Sequence, residues 1–304
     1  MMPPAHSLRF RAGYMAKCLL PRALYPWALK RWYRHLTGKR LDLSAPRTFN
    51  EKLQWLKLYG MTPLHALLSD KYLVRGWVAE RLGESWLVPL LGVWDRAEDI
   101  PFDKLPGRFA LKANHGSKCN LIIDGRAPFD RVLAVRTARE WLRYDYAFCN
   151  GFEMQYRGIR RRLIAEEYLE NAGGELYDYK FWCFHGRVEL ISMYTGRGKT
   201  LTQMFYSRDW QPAPVRGRFP PPAADHPRPD NLEEMVAASE KLARGFPHVR
   251  VDLYRLDSGR PYFGEMTFCS SSGDVRWDPP AWDLKLGGLI TLPDKKLPVR
   301  GRRG

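Results

Sequence analysis

VRVDLYRLDSGRPYFGEMTF (residues 249–268) alternates apolar and polar side chains on either side of Asp257-Ser258-Gly259-Arg260. Period-two alternation around a Ser-Gly pair predicts two antiparallel strands joined by a tight turn. With Ser258 and Gly259 as a two-residue loop, Val249 faces Phe268, Val251 faces Met266 and Leu253 faces Gly264, an apolar face throughout. On the opposite face Arg250 meets Thr267, and Asp252 lies directly across from Glu265. A one-residue slip would mix charged and apolar residues on both faces, so burial selects this register. Directly opposed carboxylates have Cβ atoms about 4.5–5.5 Å apart and repel. A cation between them or protonation of one relieves that repulsion, and so does a solvated face on which Arg250 neutralises both. The pattern fits a metal site and a solvated face equally. Oxygen-only ligands of this kind suit Mg2+, which takes one or two carboxylates and completes its shell with phosphate and water.

Upstream, RFALKANHGSKCN (108–120) places Phe109 and Leu111 on one strand face and Lys112 on the other, ahead of the loop His115-Gly116-Ser117-Lys118. Backbone N–H groups of such a loop can cradle phosphate, and a strand lysine adds fixed positive charge. The GxxxxGK[ST] spacing of a P-loop is absent, and taken alone the segment reads as an ordinary hairpin with an exposed lysine. RLIAEEYLE (162–170) predicts a strand with consecutive Glu166 and Glu167, one of which faces inward if the strand is buried. YDYKFWCFHGRVELIS (177–192) predicts a hairpin over His185-Gly186, with Lys180 and Glu189 available on its faces.

The chain has 304 residues, 45% apolar and 27% charged, a globular mixture long enough for one large or two ordinary domains. No apolar run approaches the length of a spanning helix, and the N-terminus lacks the continuous apolar core of a cleaved signal. Five scattered cysteines without a CxxC pair argue for a reducing compartment. The net charge of +16 is uneven: residues 1–41 carry nine Lys/Arg and no acid, residues 295–304 carry five more, and +2 remains on 42–294. Cationic ends suit an anionic surface, whether lipid, acidic glycan or nucleic acid. The near-neutral body lacks the basic stripe of a nucleic-acid binder, although Trp27, Trp32 and Tyr33 could stack on bases.

Helical signals dominate the first third. A helix is predicted at 23–36, another after the Thr48/Glu51 capping box with Gly60 as its stop, and a third over 70–82 capped by Ser69 and ended by Gly83. A further helix is expected near 131–146, before a strand at 163–169. The stretch 177–292 reads as hairpins with one helix, 232–244, buried through Leu232, Met235, Val236 and Ala243. Residues 211–230 hold seven prolines and predict an exposed connector.

Taken in order, FNEKLQWLKLYG, SDKYLVRGWVAERLG, LVPLLGVW, FALKANHGS, LIAEEYLE, DYKFWCFHG, GFPHVRVDLY and YFGEMTF resemble the TupA-like branch of the ATP-grasp superfamily, linked to teichuronopeptide and other cell-surface polysaccharide biosynthesis. The resemblance spans about residues 48–292. It implies an α+β ATP-grasp fold in which two subdomains sandwich ATP, preceded by a helical region. The corresponding segments are a basic aromatic N-terminus (1–47), a helical part of the nucleotide domain (48–105), a glycine-loop lid (106–165), a C-terminal subdomain with the metal hairpin (166–293) and a basic tail (294–304). It further implies that Lys71 and Lys112 bind ATP phosphates, that His115, Gly116 and Ser117 close over them, and that Glu166 and Glu167 form the adenine hinge. Asp252 and Glu265 match the Mg2+ carboxylates, Thr267 stands where the family places a third metal ligand, and Arg250 matches an arginine that steadies the transferred phosphoryl group. The family lid reads like GSGGN, whereas Lys118-Cys119-Asn120 follow Ser117 here. The implied activity is carboxylate–amine or carboxylate–thiol ligation through an acyl phosphate, in the cytoplasm, with an amino acid or an acidic or amine-bearing glycan precursor as partner. The cationic ends add an expected contact with the inner face of an anionic membrane. An ATP-grasp phosphotransferase, a nucleotide-binding pseudoenzyme and a basic nucleic-acid- or membrane-binding module are the alternative readings.

Overall fold

The computed structural model describes residues 7–125, 129–172, 176–196 and 200–294. The basic tail singled out above therefore lies almost wholly outside the described residues. Two antiparallel sheets organise the chain. The smaller contains β1 (Leu90–Trp94), β2 (Phe109–Ala113), β3 (Asn120–Ile123) and β4 (Leu163–Glu167), in the order β1-β4-β2-β3. The larger contains β5 (Tyr177–Phe184), β6 (Arg187–Thr195), β7 (Thr202–Tyr206), β8 (His248–Arg255) and β9 (Pro261–Thr267), in the order β7-β6-β5-β8-β9. Around them lie α1 (Leu8–Leu19), α2 (Tyr25–Thr37), α3 (Phe49–Tyr59), α4 (Pro63–Ser69), α5 (Val74–Leu82), α6 (Arg131–Arg143), α7 (Leu232–Ala243) and α8 (Ala281–Gly288). The architecture is α+β, as expected.

Alternation decides which face of each sheet is buried. In the larger sheet Phe181, Cys183, Val249, Val251 and Leu253 are buried, and Cys183 Sγ reaches the Ser239 carbonyl of α7, so α7 covers this face. Lys180, Trp182, Arg250 and Asp252 take the other face, where Phe49 of α3 packs on the Trp182 ring. In the smaller sheet Phe109, Leu111, Ala113, Leu163 and Ala165 pack on Ala134, Ala138 and Trp141 of α6. Lys112 and Glu166 consequently point away from α6, because side chains alternate along a strand.

The β8–β9 hairpin keeps the expected pairs Arg250–Thr267, Val251–Met266 and Asp252–Glu265. Beyond Asp252 the register moves by one, so Leu253 pairs with Phe263 rather than with Gly264. The turn is the cause. Leu256 N donates to Arg260 O and Gly259 N to Leu256 O, giving a three-residue loop, Asp257-Ser258-Gly259, with Gly259 at φ 82°. A bulge beside Gly264 absorbs the extra residue, where an added Cβ would sit 3.0 Å from Asp252 O. The irregularity thus falls next to the carboxylate pair.

The Thr48/Glu51 capping box is present on α3, with Thr48 Oγ1 accepting from Glu51 N at 3.2 Å and Glu51 Oε2 from Thr48 N at 3.0 Å. The expected helix over 70–82 begins instead at Val74, and Ser69 closes α4 rather than capping α5. Asp70 takes the capping role by accepting from Tyr72 N and Leu73 N, while Lys71 N is drawn to Asn114 O at 2.9 Å. The 48–105 stretch is not wholly helical, since β1 lies within it, and α8 adds a second helix to 177–292. Residues 211–230 are irregular, with Arg216 bridged to Asp278.

Candidate active site

Five charged groups lie on one face of the larger sheet: Asp178, Lys180, Arg250, Asp252 and Glu265. Lys180 Nζ donates to Asp178 Oδ1 at 2.9 Å and to Asp252 Oδ2 at 2.6 Å. Arg250 grips Asp252 with two bonds, Nε to Oδ1 at 2.6 Å and Nη2 to Oδ2 at 2.7 Å. Its Nη2 also reaches Glu265 Oε1 at 3.3 Å and Thr267 Oγ1 at 3.1 Å, and its Nη1 reaches Ser270 Oγ at 3.4 Å. Burial would lower the Arg250 pKa, but the Asp252 carboxylate overrides it and raises it. Arg250 is thus spent on the carboxylates, and the two acids are held by buried cations rather than by solvent.

Glu265 differs from Asp252. Its side chain is 35% exposed, whereas that of Asp252 is 3% exposed. Glu265 Oε1 accepts from Thr267 Oγ1 at 2.9 Å, while Oε2 has Lys71 Nζ at 3.7 Å, beyond hydrogen-bond distance. Burial would raise its pKa, but Lys71, Arg250 and Lys180 hold it at about 2. A depressed carboxylate pKa stabilises the fold above the ordinary value of 4.5, and that contribution is lost as pH falls towards about 2. Glu265→Gln is therefore expected to flatten the decline of the urea midpoint between pH 4.5 and pH 2. An unchanged acid limb would count against the three-cation cage.

Lys71 joins this hairpin to the glycine loop. Its N–H donates to Asn114 O, and its Nζ donates to Gly116 O at 2.7 Å. Gly116 has φ 92°, and a Cβ there would run into the Tyr146 ring, so only glycine keeps this turn. His115 points inward, with Nδ1 at Asn114 Oδ1 and Nε2 at Trp141 O, both 3.2 Å away. Burial lowers its pKa to about 4, leaving it neutral and a fastener of the loop to α6. Ser117 and Lys118 are exposed at the loop tip. Lys112 donates to Glu166 Oε2 at 2.6 Å, and Glu166 Oε1 accepts from Arg75 at 3.1 Å. Burial would lower the Lys112 pKa, yet the Glu166 charge raises it, with Tyr254 and Glu265 of the other sheet adding to the effect. Alternation turns Glu166 inward and Glu167 out to solvent. Lys71, Lys112, Arg250, Asp252, Glu265 and Thr267 thus converge between the sheets, with Gly116 at their edge; the His115 ring is turned towards α6, and Ser117 and Glu167 are exposed.

Sequence reasoning did not place Arg75, Asn50, Gln54 or Lys57 here. The last three stand at i, i+4 and i+7 of α3 and bind the backbone just after β9. Asn50 exchanges two bonds with Val275, Gln54 Nε2 donates to Ser272 O and Gly273 O, and Lys57 Nζ donates to Ser272 O and Oγ, Gly151 O and Gln54 Oε1. A polar line through an otherwise apolar helix was the available signal. Asp178 and Lys180 were visible as the polar partners of alternating Tyr179, Phe181 and Cys183.

A group of three or more His, Cys, Asp or Glu able to hold a metal is absent among the described residues. The two carboxylates nonetheless fit one Mg2+ shared with phosphate. Glu265 is ionised with an unbonded oxygen, and a carboxylate offers about four lone-pair sites, of which Asp252 uses three. They do not fit an all-protein cage.

A TupA-like ATP-grasp family model matches residues 51–291. The chain belongs to the TupA-like ATP-grasp family. Among solved structures, this TupA-like chain is similar to the ATP complex of a D-alanine–D-alanine ligase from Bacillus anthracis, with 14% identity, 66% of this chain and 55% of that chain covered, and a TM-score of 0.39. It is similar to an L-amino acid ligase from Bacillus licheniformis, with 17% identity, coverage of 68% and 42%, and a TM-score of 0.38. It is also similar to a D-cycloserine synthetase, with 18% identity, coverage of 75% and 71%, and a TM-score of 0.40. The chain spans about half the length of the first two. No curated protein matches it significantly.

Proposed function

We propose that this TupA-like chain is an ATP- and Mg2+-dependent ligase that joins a carboxylic acid to an amine, or to a thiol, through an acyl phosphate in cell-surface polysaccharide biosynthesis. The observation that carries the reading is the direct opposition of Asp252 and Glu265 across β8 and β9, with Lys71 spanning from Gly116 O to within 3.7 Å of Glu265. Lys71 and Lys112 bind the phosphates, and the 106–165 lid, closing on 166–293 through the 114–119 loop, keeps water from the transferred group. Glu265 and Asp252 would hold the ion, which when bound screens phosphate charge against an approaching carboxylate. Arg250 and Lys180 fix the rotamer of Asp252, which leaves Lys71 to serve the transferred phosphate. A substrate carboxylate oxygen attacks the γ-phosphorus and ADP leaves. The amine nitrogen then attacks the acyl carbon, phosphate departs and the amine proton passes to solvent. Positioning and charge do this work without a side-chain nucleophile. The acid or amine would be an amino acid or a uronic-acid-bearing glycan precursor, met in the cytoplasm.

Incubation with Mg2+-ATP and a panel of acids and amines, followed by ADP release and product mass, tests the proposal. Expected is acid- and amine-dependent ADP with an amide product, or a thioester where a thiol replaces the amine, lost by about 100-fold or more in Glu265→Gln, as for other removed transition-state contacts. ADP with a phosphosugar would establish a phosphotransferase. ATP that is bound but not consumed across the panel would establish a pseudoenzyme.

A further inference from the structure

Helix α1 presents two faces. Phe10 and Tyr14 pack on the Tyr144 ring, Tyr14 Oη accepts from Asp145 N at 3.0 Å, and Lys17 Nζ donates to Asn150 O at 2.8 Å, so one side is docked. Leu8, Ala12, Met15 and Leu19, at i, i+4, i+7 and i+11, form a stripe on the other. Leu8 is 83% exposed, Met15 53% and Leu19 76%. After the short turn at Arg22–Leu24, α2 continues the pattern with Trp27, 59% exposed, beside an open groove lined by Lys30, Arg31, Arg34 and Arg40. These four cations form no ion pair among the described residues, and residues 1–41 contain no acid. Asp42, the next acid in the chain, accepts from Ser44 and Ala45 and feels the charge of Lys30 without forming an ion pair with it.

We infer that the outer faces of α1 and α2 form a docking surface for an anionic phospholipid bilayer. A soluble polyanion would meet the four cations but leave Leu8, Met15 and Leu19 in water. A bilayer interface takes both, because acyl chains receive the apolar stripe, headgroup phosphates receive the cations and the amphipathic Trp ring lies at their boundary. A helix long and apolar enough to cross a membrane is absent among the described residues, so the contact is in the interfacial plane. The surface stands independently of the ligase chemistry.

Co-sedimentation of the full chain with vesicles tests this. Binding is expected to phosphatidylcholine mixed with phosphatidylglycerol, to weaken with salt, and to be near background on phosphatidylcholine alone. Each cation near such a surface contributes about fivefold, so Arg31→Gln/Arg34→Gln/Arg40→Gln lowers partitioning about 100-fold. Leu19→Ser/Trp27→Ser lowers it about tenfold through lost apolar insertion. The thermal midpoint serves as the folding control, since all five positions are exposed. Parent-like vesicle binding by either variant overturns the inference, as does equal binding to neutral vesicles. Duplex DNA bound as tightly as anionic vesicles, and equally by the Leu19/Trp27 variant, would mark a general polyanion surface and overturn it too. None of these outcomes depends on ADP release.

Discussion

Replacing Asp252 by alanine is expected to lower the unfolding free energy by ~3–5 kcal/mol, the usual cost of leaving a buried charge without its partner. Two cations are stranded at once, because Lys180 and Arg250 both donate to this carboxylate at 2.6–2.7 Å. Lys180 keeps Asp178, but Arg250 keeps only the longer contacts to Glu265, Thr267 and Ser270. ADP release is expected to fall to background in the same variant. Stability and activity then separate in the double variant Asp252→Ala/Lys180→Met. Removing one stranded cation restores ~1–2 kcal/mol, as coupled neighbours do, while ADP release stays at background. Urea unfolding of the two single variants and the double variant measures the coupling. Additive losses would show that Lys180 and Asp252 do not act as a pair, and recovered turnover would remove Asp252 from the chemistry.

Lys57→Met is expected to cost ~3–5 kcal/mol by urea unfolding, because it orphans several buried polar groups at once. Lys57 is fully buried, and its ammonium holds Ser272 O and Oγ, Gly151 O and Gln54 Oε1. Burial lowers its pKa to about 8, against the opposing charge of buried Glu153. Methionine fills the space but donates nothing. The loss extends beyond the hydrogen bonds, because Ser271, Ser272 and Gly273 are consecutive residues in the left-handed region, at φ 49°, 55° and 71°. For the two serines that conformation costs about 1–3 kcal/mol each and persists only where neighbours hold it. Lys57 and Gln54 supply that hold. Ser270, the residue before the turn, contacts Arg250, so release of the turn is expected to reduce ADP release together with stability. Parent-like stability in Lys57→Met would show that the turn needs no anchor.

Much of this is legible in the chain itself. Alternation from 249 to 268 predicted the Asp252–Glu265 pair because a buried apolar face tolerates only one register. The three-residue loop and the bulge at Gly264 escaped, since Ser258-Gly259 suits either loop length and the choice depends on how the strands twist together. The α5 start was misplaced for a similar reason: Ser69 and Asp70 both carry capping oxygens, and the competition was decided by Asn114 O, forty-three residues away, pulling on Lys71 N.

Local pattern thus determined which residues form the hairpins, which face of each strand is apolar and where cationic charge accumulates, because period, turn chemistry and burial act over a few residues. Tertiary packing alone decided that Arg250 and Lys180 serve Asp252, that Lys71 ties the glycine loop to Glu265, and that the polar line of α3 braces the turn after β9. Those partners are distant in sequence, and a charged side chain surrounded by several possible counter-charges takes the one the assembled fold brings within reach.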